Sequence, residues 1–500
     1  MKRLSLVPFL TVLVFINCGY NPVSVDDHGK GLIVSEMMYN RGVDTLEFIE
    51  LKNTSSKEIN LSGLFFSEGL DYTFPDNSKI RAGEYLILTN NSELFEKEYP
   101  KIEVAGVYKG RLNDNGEKLT LCKENLSKVL SIEYKDGGFW PAVADGLGFS
   151  IVPVDENDPG DQKDASDWRA SSKAGGSPGK RDPDINIKSV LVNEVITSTK
   201  SDSTSAVELY NPNQTQTIEI GGWFLTDDKH VPCKYQIPEK TIIKPGSFVS
   251  FTAKDFGSAI TVSISGGQLY IFSAGLDSIL TGYSHGIDFD ASEPGTSFGL
   301  IQNSDGKYFT AQLTTSSAGA VNSDPLAGDI VVSELMYHPV DSAAEFIEIF
   351  NRSDKEINLF DEKNPENRWK IGGVSFVFPA SIKIGAGERI VLIDSTLSIS
   401  KFRAASQLDS TVKIFQYEGK LSNGGETISV EKPGNPFVNS AGEIEVPYVP
   451  VDVVLYKDDL PWPPQADGQG YSITRIDPAK WGNEPENWKL SDQKNGTPGK

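Results

Sequence analysis

The sequence predicts an all-β protein made of three tandem β-sandwich domains. Short runs rich in Val, Ile, Phe and Tyr, broken by Gly, Pro, Asn and Asp, recur along the chain, as strands and their turns require. Apolar spacing compatible with a helix is confined to two short segments, 92–99 and 398–405. Many short strands within each long repeat are typical of a sandwich with Greek-key connections.

Three long repeats define the domain organisation. The segment GLIVSEMMY at 31–39 recurs as DIVVSELMY at 329–337, and more faintly within 190–195. A Gly-x-Ser element follows at 148–150, 295–297 and 470–472, and the copies close on Ser-Pro-Gly, Ser-Ala-Gly and Thr-Pro-Gly. Two glutamates and an asparagine keep one spacing in all copies: Glu36, Glu50 and Asn53; Glu194, Glu208 and Asn211; Glu334, Glu348 and Asn351. A period this long predicts tandem domains rather than a solenoid of small units.

The repeats place domain 1 at residues 31–180, domain 2 at 188–320 and domain 3 at 329–500. Segments rich in Pro, Asp, Asn and Gly around 181–187 and 321–328 are expected to be linkers. The length of 500 residues suits about three domains, and 38% hydrophobic residues with 46 glycines is a globular composition. No stretch remains for a separate catalytic domain.

Charge and residue counts narrow the classes of function. The net charge of -22 repels phosphate backbones, so we expect no nucleic-acid partner. Three cysteines cannot form a disulfide framework, and four histidines leave little material for a His-based metal or catalytic centre. We therefore expect no resident cofactor, with Ca²⁺ as the open alternative.

The amino terminus predicts export and lipid anchoring. Residues 1–17 carry two basic residues and then an apolar run too short to span a bilayer, as signal peptides do. The run ends at FINCG, residues 15–19, which resembles the lipobox of bacterial lipoproteins although Phe15 and Asn17 depart from its usual residues. We expect a lipid on Cys18, a polar tether over 18–30, and a cell-envelope location at the outer membrane or surface of a diderm bacterium. An ordinary signal peptide with an incidental cysteine is the alternative.

Several of these motifs together resemble the lamin tail domain family. They are the strand pair VSEMMY and EFIELKN, the Asn-Leu-Ser-Gly turn at 60–63, the Asp-Gly-x-Gly-x-Ser element at 145–150 and 467–472, and a Trp preceded by Asn or Asp before the closing motif. The resemblance covers residues 31–500 as three copies. It implies immunoglobulin-like sandwiches, which in bacteria are accessory modules of secreted or membrane-associated proteins. The second copy departs, with Ser205 and Ala206 in place of Glu-Phe, no Trp near its end and Ala in its closing motif.

One serine motif and the repeated glutamates resemble parts of a hydrolase active site, and a structural role is the alternative for each. Ser297 lies in a Gly-x-Ser-x-Gly context, but Ser150 and Ser472 lack the second glycine, no helix follows, and the nearest histidine, His285, is not repeated. The repeated glutamates could act as acid and base. Because a degenerate copy retains them, we expect them to bind backbone groups at a strand end instead. The sequence therefore predicts no catalytic residue.

An acidic loop in domain 1 is a candidate calcium site. Asp155, Asn157, Asp158 and Asp161 supply the oxygen ligands that Ca²⁺ prefers. The loop does not match the twelve-residue calcium-binding pattern, so a solvated acidic loop is the alternative.

Two tryptophans flanked by proline are candidate contacts to a partner. Trp140 and Trp462 would anchor a protein or glycan surface if they were exposed, whereas burial in a small sandwich is the default. Cys122 and Cys233 lie in different copies, which excludes a disulfide within one domain, and both are expected to be small buried side chains.

The sequence as a whole predicts a non-enzymatic, lipid-anchored envelope protein that binds a protein or glycan partner, or acts as a scaffold. Loops at the sandwich ends or exposed sheet edges would carry recognition. Two alternatives stay open: an accessory subunit that tethers a secreted hydrolase, and a Ca²⁺-dependent adhesin.

Overall fold

The structure is a computed structural model that describes residues 31–160, 162–185, 188–197, 205–275, 277–340, 344–438 and 442–500. The signal segment 1–17, the tether 18–30 with Cys18, and Asp161 lie outside the described residues. Within the described ranges, no helix combines the length and apolarity needed to cross a membrane.

Domain 1 is a sandwich of a long and a short sheet. Its elements are β1 (Leu32–Met38), β2 (Phe48–Asn53), β3 (Ile59–Asn60), β4 (Phe65–Glu68), β5 (Lys79–Ile80), β6 (Tyr85–Thr89), α1 (Ser92–Glu98), β7 (Val104–Val107), β8 (Gly116–Cys122), β9 (Lys128–Lys135), β10 (Ile151–Pro153) and β11 (Trp168–Ala170). The long sheet has the order β11-β10-β1-β2-β6-β7, the short sheet the order β4-β8-β9, and β3 pairs with β5. Single 3-10 turns lie at Ala142–Ala144 and Ala165–Asp167.

Domain 2 repeats this plan with a five-stranded long sheet and a four-stranded short sheet. Its elements are β12 (Leu191–Ile196), β13 (Ala206–Tyr210), β14 (Ile218–Glu219), β15 (Phe224–Thr226), β16 (Tyr235–Gln236), β17 (Ile242–Ile243), β18 (Phe248–Thr252), α2 (Ala253–Phe256), β19 (Gly267–Ala274), β20 (Leu280–Phe289), β21 (Ser297–Gln302) and β22 (Tyr308–Gln312). The long sheet is β18-β13-β12-β21-β22 and the short sheet β16-β15-β19-β20, while β14 pairs with β17. Among its described residues, this domain has no counterpart of the parallel edge strand β7.

Domain 3, like domain 1, has a six-stranded long sheet. Its elements are β23 (Ile330–Met336), β24 (Phe346–Asn351), β25 (Ile357–Asn358), β26 (Lys370–Gly372), β27 (Phe376–Val377), β28 (Lys383–Ile384), β29 (Arg389–Asp394), α3 (Ile399–Ala405), β30 (Lys413–Tyr417), β31 (Gly425–Pro433), β32 (Phe437–Val438), β33 (Ile444–Glu445), β34 (Tyr448–Lys457), β35 (Ile473–Arg475) and β36 (Trp488–Leu490). The long sheet is β30-β29-β24-β23-β35-β36 and the short sheet β27-β26-β31-β34. Strands β25 and β28 form one pair, β32 and β33 another, and 3-10 turns lie at Pro464–Ala466 and Pro485–Asn487.

The all-β prediction of three tandem sandwiches is confirmed, and the two expected short helices are α1 and α3. Each domain has its own core between its two sheets. Every residue of β1 is buried, because α1 and the closing motif together cover the other face of the long sheet. Phe95 of α1 meets Phe48 there edge to face at 5.6 Å, and the amide of Ser177 bonds Glu36. Burial on both faces explains why the first strand of domains 1 and 3 is nearly continuous apolar sequence rather than an alternating pattern.

Both segments expected to be linkers begin as parts of the preceding domain. Asp182 is 3% exposed and accepts hydrogen bonds from Ser177 Oγ at 2.7 Å and from the Arg169 guanidinium at 2.7 Å. After domain 2, the amide of Leu326 donates to the carbonyl of Gln312 at 2.7 Å, which adds this segment to the β22 edge. The turn-forming composition of these segments therefore marks ordered chain reversals on the domain surface.

Domains 1 and 2 share an apolar interface. Val143 and Phe149 of domain 1 form one buried cluster with Tyr270 and Phe272 of domain 2. Beside it, the Lys229 ammonium group of domain 2 forms ion pairs with Asp136 and Asp145 of domain 1, each at 2.9 Å. Apolar burial with a charged pair at its margin holds the two sandwiches in one arrangement.

Domains 2 and 3 meet through a more polar contact. The Phe309 ring lies edge to face on Trp481 with centroids 5.6 Å apart. The amide of Ser304 donates to the Glu484 carboxylate at 3.2 Å, and Lys432 pairs with Glu293 at 3.2 Å. The first two contacts fix β22 and the turn before it against the β35–β36 connection of domain 3, and the third joins the β20–β21 connection to β31.

We predict that Val143→Gln loosens the junction between domains 1 and 2. Val143 is fully buried, whereas the equivalent position in domain 3 is the exposed Gln465. The substitution removes a buried isopropyl group and buries an amide, at a cost of about 2–4 kcal/mol. Urea unfolding and protease susceptibility of the segment after domain 1 measure the effect. The reciprocal change Gln465→Val is the control and should alter the free energy of unfolding by no more than about 0.5 kcal/mol. Equal losses of stability in the two variants would contradict the interface between domains 1 and 2.

Candidate functional site

A buried pair of glutamates recurs in all three domains, as does the buried asparagine three residues after the second glutamate. In each long sheet the two glutamate side chains come from directly paired positions on the first two strands. A bulge one residue before the first glutamate shifts the register and brings the two carboxylates together. All of them are 1–3% exposed, and they form the carboxylate pairs Glu36/Glu50, Glu194/Glu208 and Glu334/Glu348.

In domain 1, distant segments supply the hydrogen-bond donors for this pair. The hydroxyl of Ser150, in the Gly-x-Ser element, donates to Glu36 Oε1 at 2.5 Å. The closing motif folds back so that the amide of Ser177 donates to Glu36 Oε1 at 2.9 Å and the amide of Gly179 to Glu50 Oε2 at 2.5 Å. Two elements far along the chain are thus tied to the first hairpin. We call this arrangement the carboxylate clasp.

Domain 3 builds the same clasp. The Ser472 hydroxyl donates to Glu334, and the amide of Thr497 donates to the same carboxylate at 2.7 Å. The amide of Gly499 donates to Glu348 Oε2 at 2.5 Å. The two copies therefore agree group by group.

Domain 2 keeps the clasp although its sequence departs from the other copies. Ser297 donates its hydroxyl to Glu194, and the amide of Ser317 donates to the same carboxylate at 3.0 Å. The amide of Gly319 donates to Glu208 Oε2 at 2.5 Å. The hydrogen bonding expected for the repeated glutamates is confirmed, and Ser297, the serine of the hydrolase-like motif, is one of its donors.

Burial controls the protonation of these carboxylates. Desolvation, with the neighbouring Glu50 charge as the second cause, raises the pKa of Glu36 to about 8. Desolvation likewise raises the pKa of Glu50 to about 7 and that of Glu348 to about 7, against the lowering effect of their hydrogen bonds. Two like charges on adjacent buried positions cannot both ionise cheaply, so a proton is retained into the neutral range.

Comparison with known families agrees with this repeated architecture. The Lamin Tail Domain family matches residues 27–136, 184–315 and 323–442, well over half of the chain. The chain belongs to the Lamin Tail Domain family. No curated protein matches it. The domains are immunoglobulin-like, and in lamin tail domains 1 and 3 the structure extends past the matched residues, because β10, β11, β35 and β36 complete the long sheets.

The bulge of each lamin tail domain exposes backbone groups that a different side chain satisfies in each copy. In domain 1, Gln162 accepts from the amide of Val34 at 3.1 Å and donates to its carbonyl at 2.7 Å. In domain 2, Nδ1 of His285 accepts from the amide of Val192 at 3.1 Å. Burial lowers the pKa of His285 to about 4, which keeps the ring neutral and able to accept. His285 is therefore committed to the bulge and does not contact Ser297 in the clasp.

Domain 3 uses a buried ion pair at the same place. Asp452 accepts from the amide of Val332 at 2.9 Å, and Arg475 donates to the carbonyl of Val332 at 3.1 Å and to Asp452 at 2.6 Å. These three solutions carry no common sequence signal, because Gln162 lies in the β10–β11 connection, His285 in β20 and Asp452 in β34, and they share no residue type.

The calcium candidates lie on an exposed loop. Asp155, Asn157 and Asp158 are exposed, and the Asp155 carboxylate accepts from the amide of Asn157 at 2.9 Å. Asp161 lies outside the described residues. Among the residues that the structure describes, no group of three or more His, Cys, Asp or Glu side chains is placed to hold a metal ion. The neighbouring Glu156 instead points inward and accepts from the Tyr85 hydroxyl at 3.0 Å.

Both candidate tryptophans are core residues. Trp140 is 7% exposed and packs beside Trp168 at 6.1 Å, and Trp462 is 3% exposed and packs beside Trp488 at 5.9 Å. The default of core burial is confirmed, and little of either ring can reach a partner. Phe139, next to Trp140, contacts domain 2 instead.

The two cysteines in the described residues differ in environment. Cys122 is buried as expected, next to the Ser67 hydroxyl at 3.4 Å. The expectation was wrong for Cys233, which is exposed. Cys233 follows the turn after β15, where the chain leaves the core, so its side chain has no apolar layer to enter.

We predict that domain 1 is more stable at pH 5 than at pH 9, and that Glu36→Gln reduces this difference. The unfolded glutamate ionises near 4.5, whereas the folded one has a pKa of about 8. The unfolded state therefore binds fewer protons over this interval, and stability falls as the pH rises through it. Thermal unfolding as a function of pH is the measurement. Glu58→Gln, an exposed carboxylate, is the control and should leave the pH profile unchanged.

We predict that Gly176→Ala breaks the clasp, whereas Gly83→Ala only strains the backbone. Both glycines have positive φ, 69° and 75°, so alanine costs each about 1–2 kcal/mol. A Cβ on Gly176 would lie 1.9 Å from Glu36 Oε1, whereas nothing lies within 4 Å of one on Gly83. The clash with Glu36 adds to this backbone cost, so Gly176→Ala should lower the free energy of unfolding by about 2–5 kcal/mol in all. Chemical denaturation compares the two, and equal losses would show that the clasp does not form in solution.

Proposed function

We propose that this protein is a non-enzymatic, lipid-anchored component of the cell envelope, held at the outer membrane or cell surface of a diderm bacterium by Cys18. Its three lamin tail domains act as a binding or scaffold module. The immunoglobulin-like fold of the family supports such a role, because loops and sheet edges of a rigid sandwich present fixed recognition surfaces.

The observation that carries the proposal is the internal use of the repeated polar groups. The glutamates, the Gly-x-Ser serines and the closing motifs bind one another inside each domain. Ser297 is 3% exposed with its hydroxyl donated to Glu194, so this motif supports packing rather than nucleophilic attack. What remains for a partner is the outer surface of the three domains.

The contacts between domains support a scaffold in particular. The apolar cluster around Val143 and the ring contact between Phe309 and Trp481 orient the three sandwiches relative to one another. Fixed orientation allows surfaces on different domains to engage one partner together, which raises its effective concentration.

We predict that Cys18→Ala releases the protein from the membrane. The full chain would be expressed in a diderm bacterium with a labelled fatty acid, and the label and detergent-phase partition would be measured. The unaltered chain should carry label and enter the detergent phase, and Cys18→Ala should do neither, because multiple acyl chains supply the anchoring energy. Cys233→Ala, an exposed cysteine outside the anchor, is the matched control.

An unlabelled, water-soluble chain would refute the anchor. Partner capture by the same chain with and without Ca²⁺ separates the remaining alternatives. Capture that needs Ca²⁺ would favour the adhesin, and recovery of a hydrolase would favour the accessory subunit. Absence of any saturable partner would leave a passive envelope spacer.

A further inference from the structure

An open cavity of about 600 Å³ lies between domains 2 and 3. Tyr210, Phe248 and Tyr308 of domain 2 line one side, and Lys480, Trp481 and Glu484 of domain 3 line the other. This volume is within the range of about 300–1,000 Å³ typical of small-ligand sites, which often form at domain interfaces.

The cavity exists because domain 2 lacks a long connection present in its neighbours. In domain 1, the connection between β10 and β11 carries Glu156. Its carboxylate accepts a hydrogen bond from the Tyr85 hydroxyl and forms an ion pair with Lys52. Tyr85 is paired with Lys52 across β2 and β6, just as Phe248 is paired with Tyr210 across β13 and β18. The β21–β22 turn of domain 2 is too short to reach these rings, so the corresponding face stays open toward domain 3.

Aromatic rings dominate the apolar part of the cavity. Tyr210 and Phe248 stack with centroids 4.7 Å apart and an interplanar angle of 23°. Tyr308 is 44% exposed and offers its ring to a ligand, whereas Trp481 is 8% exposed and packs against Phe309 as part of the cavity wall. Such rings present flat, rigid faces that lose little conformational entropy on binding.

The polar part of the cavity is uncharged or weakly acidic. Amides and a hydroxyl come from Gln302, Asn322 and Ser323, while Asp324 and Glu484 outnumber the single Lys480. The neutral groups already bond within domain 2: Asn322 donates to the carbonyl of Leu300, and the Ser323 hydroxyl donates to the carbonyl of Thr315. The carboxylates of Asp324 and Glu484 are therefore the acceptors that face a ligand, and they favour hydroxyl donors over an anionic ligand. A ligand with apolar faces and many uncharged hydroxyls satisfies both parts.

We propose that this cavity binds a short neutral oligosaccharide. The C–H faces of sugar rings pack on the aromatic side chains, and the hydroxyls donate to the carboxylates of Asp324 and Glu484. This inference rests on the proposed function and names the ligand class of the binding module. An extended peptide fits less well, because the end of β22 is already paired with the segment that follows domain 2, through Leu313 with Pro325 and Gln312 with Leu326.

Titration calorimetry of the purified full chain tests the proposal. The probes are maltotetraose, cellotetraose and tetra-N-acetylchitotetraose, with tetragalacturonic acid as the anionic comparison. We expect at least one neutral tetrasaccharide to bind and the anionic one to bind at least about tenfold more weakly. Tyr308→Ala should weaken the neutral ligand about tenfold or more by removing an exposed ring.

Two further variants make the test specific to this cavity. Asp324→Ala, at an exposed position in the cavity wall, should also weaken binding, whereas Tyr471→Ala, an aromatic residue of domain 3 outside the cavity, should not. Binding by none of the neutral probes, or equal affinity in Tyr308→Ala and the unaltered chain, would overturn the proposal. Competition at this site by an extended peptide with no saccharide binding would overturn it also. Lipid labelling and partner capture do not depend on these outcomes, so failure here would leave the proposed function standing.

Discussion

The buried carboxylate pair is the constraint on which each domain depends. Two adjacent glutamates inside a β-sandwich are costly unless their oxygens accept hydrogen bonds and their charge is reduced. The first hairpin cannot supply enough donors by itself, so the Gly-x-Ser strand and the closing motif must be brought to it. The clasp thereby ties the end of every domain to its beginning. Because removing a donor would leave a buried carboxylate unpaired, the same groups persist even in domain 2, whose other landmarks have changed.

Around this common frame the three domains differ where they meet one another. Domain 1 carries Val143 and Phe149 at the surface that packs on domain 2, whereas domain 3 has the polar Gln465 and the half-exposed Tyr471 at the corresponding places. Domain 2 has a short β21–β22 turn, which opens a cavity that the long β35–β36 connection of domain 3 partly fills. A single architecture is thus specialised through loop length and through the polarity of a few exposed positions, while the inner hydrogen bonds stay constant.

The motifs that form the clasp are recognisable in the sequence, whereas the side chains that bind the bulge are not. Glutamate, Gly-x-Ser and the closing motif were visible because each recurs at one spacing, and recurrence in a degenerate copy pointed to a structural role. The groups that satisfy the bulge were invisible because Gln162, His285 and Asp452 share neither residue type nor position. A buried amide needs only an acceptor within reach, so evolution has several chemically different ways to provide one.

The sequence by itself determined the fold class, the number of domains and the family, because these follow from strand periodicity, turn residues and the spacing of repeated motifs. It also indicated correctly that Trp140 and Trp462 are core residues. Only the tertiary structure decided which serines and amides reach the carboxylates, that the segments after domains 1 and 2 pack on those domains, and that domains 2 and 3 enclose a cavity between them. These features depend on contacts between residues far apart in the chain, and local sequence pattern carries no record of such distances.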